Sequence, residues 1–168
     1  MSKLRVSYLV LCERPAAIAE DARPPGIEIS RQTLSLEDYL ALYRAVGGPW
    51  GWDQRLNMPR NVLSDFLIGS SCHVFTLREG PRAIGFCEFD SSGLPDVQLM
   101  NFGLIPEAFG RGLGPQFLHA VLRQLWGELN PRRIWLHTDE WDHPRALEVY
   151  RNAGFVLDEE RLEDPADL

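Results

Sequence analysis

An α+β fold built on a mixed sheet is what this 168-residue chain predicts, and three observations predict it. Two segments rich in Phe, Val and Ile, Cys72 to Leu77 and Ala83 to Asp90, are joined through Arg-Glu-Gly-Pro, the pattern of an antiparallel hairpin. A further extended stretch, Val97 to Leu104, leads through a glycine-rich loop into a long amphipathic helix. A strand, a helix and a last short strand follow, so hairpin and strand-helix-strand connections occur in one chain. The length suits one compact domain over residues 1–168, and 45% hydrophobic with 24% charged residues is ordinary for a globular chain.

The elements follow in order. Val6 to Cys12 and Ile27 to Gln32 read as strands, separated by a connection whose prolines and charges place it on the surface. Leu36, Tyr39, Leu40, Tyr43 and Val46 recur at helical spacing, with Ser35 placed to cap the helix and Gly-Gly-Pro-Trp-Gly-Trp to stop it. A second short helix is expected around Asn61 to Ile68, ahead of the hairpin. From Gly114, the apolar residues Phe117, Leu118, Val121, Leu122, Leu125, Trp126 and Leu129 mark one buried face of a helix of about four turns. Ile134 to Thr138 reads as a strand, Ala146, Leu147, Tyr150 and Ala153 as a helix, and Phe155 to Leu157 as a last short strand.

A formal charge of -7 and a pI near 5.1 argue against a polyanion-binding surface, so no nucleic acid is expected and a cationic substrate matches better. Cys12, Cys72 and Cys87 are odd in number and far apart, which suggests neither a disulfide framework nor a zinc site and fits a cytoplasmic protein. The apolar run Val6 to Cys12 is too short to span a bilayer, so no membrane association is expected. A homodimer is left open.

The loop Gly110-Arg111-Gly112-Leu113-Gly114 opens a helix, whose N-terminus presents unpaired N–H groups at the positive end of its dipole. Glycines there remove side chains that would hold an anion away, so a pyrophosphate is the natural ligand. The loop lacks the Gly-Lys-Ser/Thr of a P-loop and is not the Gly-x-Gly-x-x-Gly of dinucleotide folds with an acidic residue on the next strand. Alone it reads equally as a tight turn.

The stretches "GLIPEAFGRGLG" and "RRIWLHTDEWDHPRALEVYRNAGF" together resemble the acetyl-CoA-binding half of the GNAT superfamily of N-acetyltransferases, over roughly Val97 to Phe155. "YLALYRAVGGPWGWDQR" is similar, more weakly, to a bacterial branch of it. The resemblance implies a mixed, mostly antiparallel sheet flanked by helices, with a splayed central strand pair. It implies that the backbone of Phe102, Gly103 and Leu104 pairs with the pantetheine arm of acetyl-CoA and that Gly110 to Gly114, with the charge of Arg111, takes the pyrophosphate. Phe109 departs from the family's usual Arg or Gln, and His143 stands where many relatives have Asn, so it is either a changed cofactor contact or a helix cap.

In the family's tyrosine position, Tyr150 would protonate the departing thiolate; otherwise it is a half-buried aromatic on an amphipathic helix. The fourth strand, which often carries a Glu base in relatives, offers only Gln98 and Asn101, so Glu88 on the preceding strand is the candidate base, or else a solvated strand-end carboxylate. Trp50, Trp52 and Asp53 lie where the superfamily forms its acceptor wall, suited to an organic cation, and read equally as a packed corner. The acidic and His-containing stretch His137 to His143 has no metal-ligand spacing, so no metal is expected. The implied activity is an acetyl-CoA-dependent acyltransferase acting on a small-molecule or protein amine; the alternative is a non-catalytic acyl-CoA-binding module.

Overall fold

The computed structural model describes residues 3–18 and 23–168. Seven strands form one sheet in the order β2-β3-β4-β5-β6-β1-β7. They are β1 (Leu4–Leu11), β2 (Ile27–Arg31), β3 (Cys72–Glu79), β4 (Arg82–Asp90), β5 (Asp96–Leu104), β6 (Arg133–Asp139) and β7 (Val156–Glu163). The helices are α1 (Leu36–Gly47), α2 (Gln54–Asn57), α3 (Arg60–Ile68), α4 (Leu113–Leu129) and α5 (Ala146–Asn152), so the α+β class and the mostly antiparallel sheet are as expected.

Only β5 and β6 run parallel, and they pair through three residues: Asp96 with Arg133, Val97 with Ile134 and Gln98 with Trp135. Beyond Gln98 the two strands part. On its other side β5 stays paired with β4, but the register steps from Phe89 opposite Leu99 to Glu88 opposite Asn101, which leaves Met100 as an extra residue. Such a bulge bends and twists its strand. It lies just where β5 leaves β6, and gives the expected splay a local cause.

Tyr39 and Tyr43 of α1 pack their rings on Phe86 of β4, and a Cβ added at Gly103 would fall 2.5 Å from Val46 Cγ1, so α1 lies flush on that face of the sheet. On the opposite face, Phe102 meets Phe117 of α4 and Tyr150 of α5. Buried Phe117, Leu118, Val121, Leu122, Leu125 and Trp126 form the predicted stripe of α4; each such side chain contributes about 2 kcal/mol when fully buried. Ser35 caps α1 as expected, its hydroxyl accepting the Asp38 N–H.

The N-terminal strand lies between β6 and β7. Two features depart from the sequence reading. The last strand is eight residues long rather than three and starts after Phe155, which is buried in the core. Its residues from Val156 to Leu162 are exposed on both faces, so no alternation marks it, and pairing with β1 alone holds it. The single turn α2 between Trp52 and α3 was also not anticipated.

Candidate functional site

The parting of β5 from β6 opens a cleft, because from Leu99 to Leu104 that edge of β5 has no strand beside it. Backbone groups on such an edge are available to an extended ligand. A cavity of about 490 Å³ follows this edge from Phe102, Gly103 and Leu104 to the start of α4.

The glycine loop closes one end of that cavity. Gly110 (φ +74°) and Gly112 (φ +72°) sit in the left-handed region, where a side chain costs roughly 1 kcal/mol or more. A Cβ at either position would meet nothing within 4 Å, so the requirement is one of backbone conformation. Gly112 is the N-cap of α4 and no side chain caps the helix, so its first N–H groups are left for a ligand. Pro115, which has no N–H, falls in the first turn where that donor is dispensable. Leu113 and Gly114 complete the wall.

Arg111 is a correction. Its guanidinium makes a bidentate pair with Glu79 at the end of β3, at 2.6 and 3.1 Å, and the residue does not line the cavity. Phe109, 38% exposed, does line it and sets its ring against that of His143 at 5.2 Å. His143 also meets Trp50 at 4.8 Å, and its Nδ1 accepts the N–H of Arg145 at the start of α5. His143 does not cap α5, whose N-cap is Arg145 with no side-chain cap; the His143 ring forms part of the cavity wall.

Tyr150 is 8% exposed, held between Phe102 and Phe155. Its hydroxyl makes no hydrogen bond among the described residues. Burial, then the charge of Asp142, pushes the phenol well above its ordinary value, so it stays protonated and able to donate.

The structure does not keep Glu88 as a base. The carboxylate is 0% exposed and accepts hydrogen bonds from Tyr39 Oη, Arg55 Nη2 and, at 3.2 Å, Asn101 Nδ2. It lines neither cavity of the cleft, so the solvated reading fails with the catalytic one. Glu88 instead ties α1, α2 and β5 together below the corner that carries Trp50, Trp52 and Asp53.

Those three residues come together in a second cavity of about 160 Å³, continuous in lining with the first through Trp50, Trp52, Phe102, Asp142 and Tyr150. Trp52 is packed against α1 and also lines both cavities. A Cβ at Gly47 would fall 2.3 Å from its ring, while its Nε1 donates to Asp142 Oδ1 at 3.2 Å. Thr138 Oγ1 donates to Asp142 Oδ2 at 2.6 Å. Asp139 and Asp142, which the sequence offers only as metal ligands, and Trp141, to which it assigns no role, also line this cavity. Their position at the end of β6, one of the splayed pair, was the available signal. Among the described residues no three His, Cys, Asp or Glu are grouped to hold a metal ion.

The sequence model of the acetyltransferase (GNAT) family matches residues 37–155. Among solved structures, a GCN5-related N-acetyltransferase from Sphaerobacter thermophilus superposes with a TM-score of 0.67 at 17% identity, over 96% of this chain and 51% of that one. One from Kribbella flavida gives 0.61 at 16% identity, over 98% of this chain and 61% of that one. The chain thus spans less than two thirds of the length of either. An aminoglycoside acetyltransferase from an uncultured soil metagenomic sample, solved with trehalose and with sisomicin, gives 0.66 at 16% identity, over 83% of this chain and 94% of that one. No curated protein matches in sequence.

Proposed function

The chain belongs to the GNAT acetyltransferase family, and on that premise we propose that it moves an acetyl group from acetyl-CoA to a primary amine by direct attack within a ternary complex. The observation that carries the reading is the single cleft in which an uncapped glycine helix terminus, an unpaired strand edge and a protonated buried tyrosine meet a second cavity. A volume of about 490 Å³ suits a cofactor-sized ligand, and the two left-handed glycines leave its phosphate end clear of side chains.

In this reading the α4 N-terminus and the loop N–H groups hold the pyrophosphate, and the edge of β5 from Phe102 to Leu104 aligns the pantetheine arm. A main-chain N–H near Leu104 polarises the thioester oxygen. The acceptor ammonium loses one proton to water, the neutral nitrogen bonds to the carbonyl carbon, and the carbon–sulfur bond breaks. Tyr150 gives its proton to sulfur and recovers one from the acylated nitrogen, so the net yield is amide, free thiol and one proton. Water takes the first proton in this reading, since Glu88, the strand carboxylate, lines neither cavity.

No helix among the described residues is long and apolar enough to cross a membrane, and Cys12, Cys72 and Cys87 are free thiols, which supports a cytoplasmic setting. Acetyl-CoA-dependent thiol release across a panel of amines tests the function. The withdrawal of Glu88 beneath Arg55 favours one second reading, a non-catalytic acyl-CoA-binding module. Tight CoA binding without turnover of any amine or protein lysate would establish it.

A further inference from the structure

The smaller cavity is built for positive charge. Asp53, Asp139 and Asp142 line it with the rings of Trp50, Trp52 and Trp141, and no Lys or Arg does. Among the described residues none of these three carboxylates is in an ion pair. Burial, and after it the facing charge of Asp142, pushes the Asp139 carboxyl above the ordinary Asp range against the opposing pull of the Trp141 N–H. An arriving cation offsets the charge of Asp142. An independent feature points into the same place: the Tyr150 side chain, more than nine-tenths buried, lines both cavities with its hydroxyl unpartnered among the described residues.

The carboxylates differ in position. Asp142 belongs to the linings of both cavities, so it stands where the acetyl group and the amine must meet, and Trp52 and Thr138 fix its two oxygens. Asp53 and Asp139 line the smaller cavity alone. Resting on the acetyl-transfer reading, we propose that the acceptor is a small alkyl amine bearing a second positive charge. Its remote ammonium lies against Asp139, Asp53 and the indole faces, and its reacting nitrogen lies at Asp142 beside Tyr150. A volume of about 160 Å³ takes a short aliphatic chain, and indole faces attract ammonium groups.

Three amines of similar length that differ only at the far end test this: diaminobutane, butylamine and aminobutanoate. Wild-type kcat/KM should be at least about tenfold higher for diaminobutane than for butylamine, the scale of one charge-assisted contact, and lowest for aminobutanoate. Asp139→Asn should raise KM for diaminobutane by about tenfold while leaving KM for butylamine and the calorimetric CoA affinity unchanged, a split that a general structural defect would not produce. Equal rates for butylamine and diaminobutane, or an equal effect of Asp139→Asn on both, would overturn the inference and leave acetyl transfer standing. So would acetylation of a protein lysate with no small amine accepted. If wild type turns over neither small amines nor lysate, both fall.

Discussion

The two walls of the cleft are made of different material. One side of the larger cavity, the side proposed to hold CoA, is the continuous segment Phe102 to Pro115, and it presents backbone: an unpaired strand edge, two left-handed glycines and a helix terminus. The aromatic and acidic lining of the smaller cavity, proposed for the acceptor, is instead assembled from side chains of separated segments, among them Trp50 to Asp53, Asp139 to Asp142, and Tyr150. A backbone site depends on conformation, so few substitutions are tolerated at its glycines and many at its exposed side chains. A side-chain site depends on the frame that holds it, here the buried Glu88 cluster.

The largest effect is expected for Gly112→Glu. It forces a left-handed backbone on a non-glycine residue and puts a carboxylate at an anion site, so CoA binding should be lost from calorimetry. Because a side chain there meets nothing within 4 Å, the thermal midpoint should fall only slightly, by about 1 kcal/mol of stability. Retained CoA affinity in the folded variant would remove the phosphate assignment.

Glu88→Ala acts on the other wall through its frame. Stranding Arg55 as a buried, unpaired cation should cost about 3–5 kcal/mol, read as a lower denaturant midpoint, and turnover should fall together with stability. Loss of turnover at unchanged stability would instead restore Glu88 to the chemistry.

Tyr150→Phe keeps the ring between Phe102 and Phe155, so stability and CoA affinity should hold. Turnover should fall roughly 10²-fold, the lower range for a lost general acid. Wild-type rates would make Tyr150 packing alone. The smallest effect is expected for Arg111→Ala. Its pair with Glu79 is exposed and turned from the cavity, so CoA affinity at physiological salt should be almost unchanged.

The same contrast governs what could be read in the sequence. The α4 stripe, the Ser35 cap and the Gly110 to Gly114 loop are local patterns, and each appears in place. Glu88 was misread because its partners Tyr39 and Arg55 stand 49 and 33 residues away, and nothing local marks a carboxylate that folding will bury. Asp142 was passed over for a like reason: its hydrogen bond from Trp52 crosses 90 residues. The long β7 has charged side chains on both exposed faces, and periodicity cannot mark a strand that buries neither. The Met100 bulge behind the splay is a matter of register between β4 and β5, which sequence alone does not display.

The central claim is that acetyl passes directly from thioester to amine across the shared wall of the two cavities. The residues common to both linings, Trp50, Trp52, Phe102, Asp142 and Tyr150, include no thiol, hydroxymethyl or amine nucleophile. Cys72 and Cys87 line neither cavity, and burial pushes the Cys72 thiol up to about 12. Initial rates measured while acetyl-CoA and diaminobutane are varied together, beside the intact mass of protein incubated with acetyl-CoA alone, test this most directly. Direct transfer gives intersecting double-reciprocal lines and an unmodified protein mass. Parallel lines with a stoichiometric acetyl adduct on the chain would contradict the account.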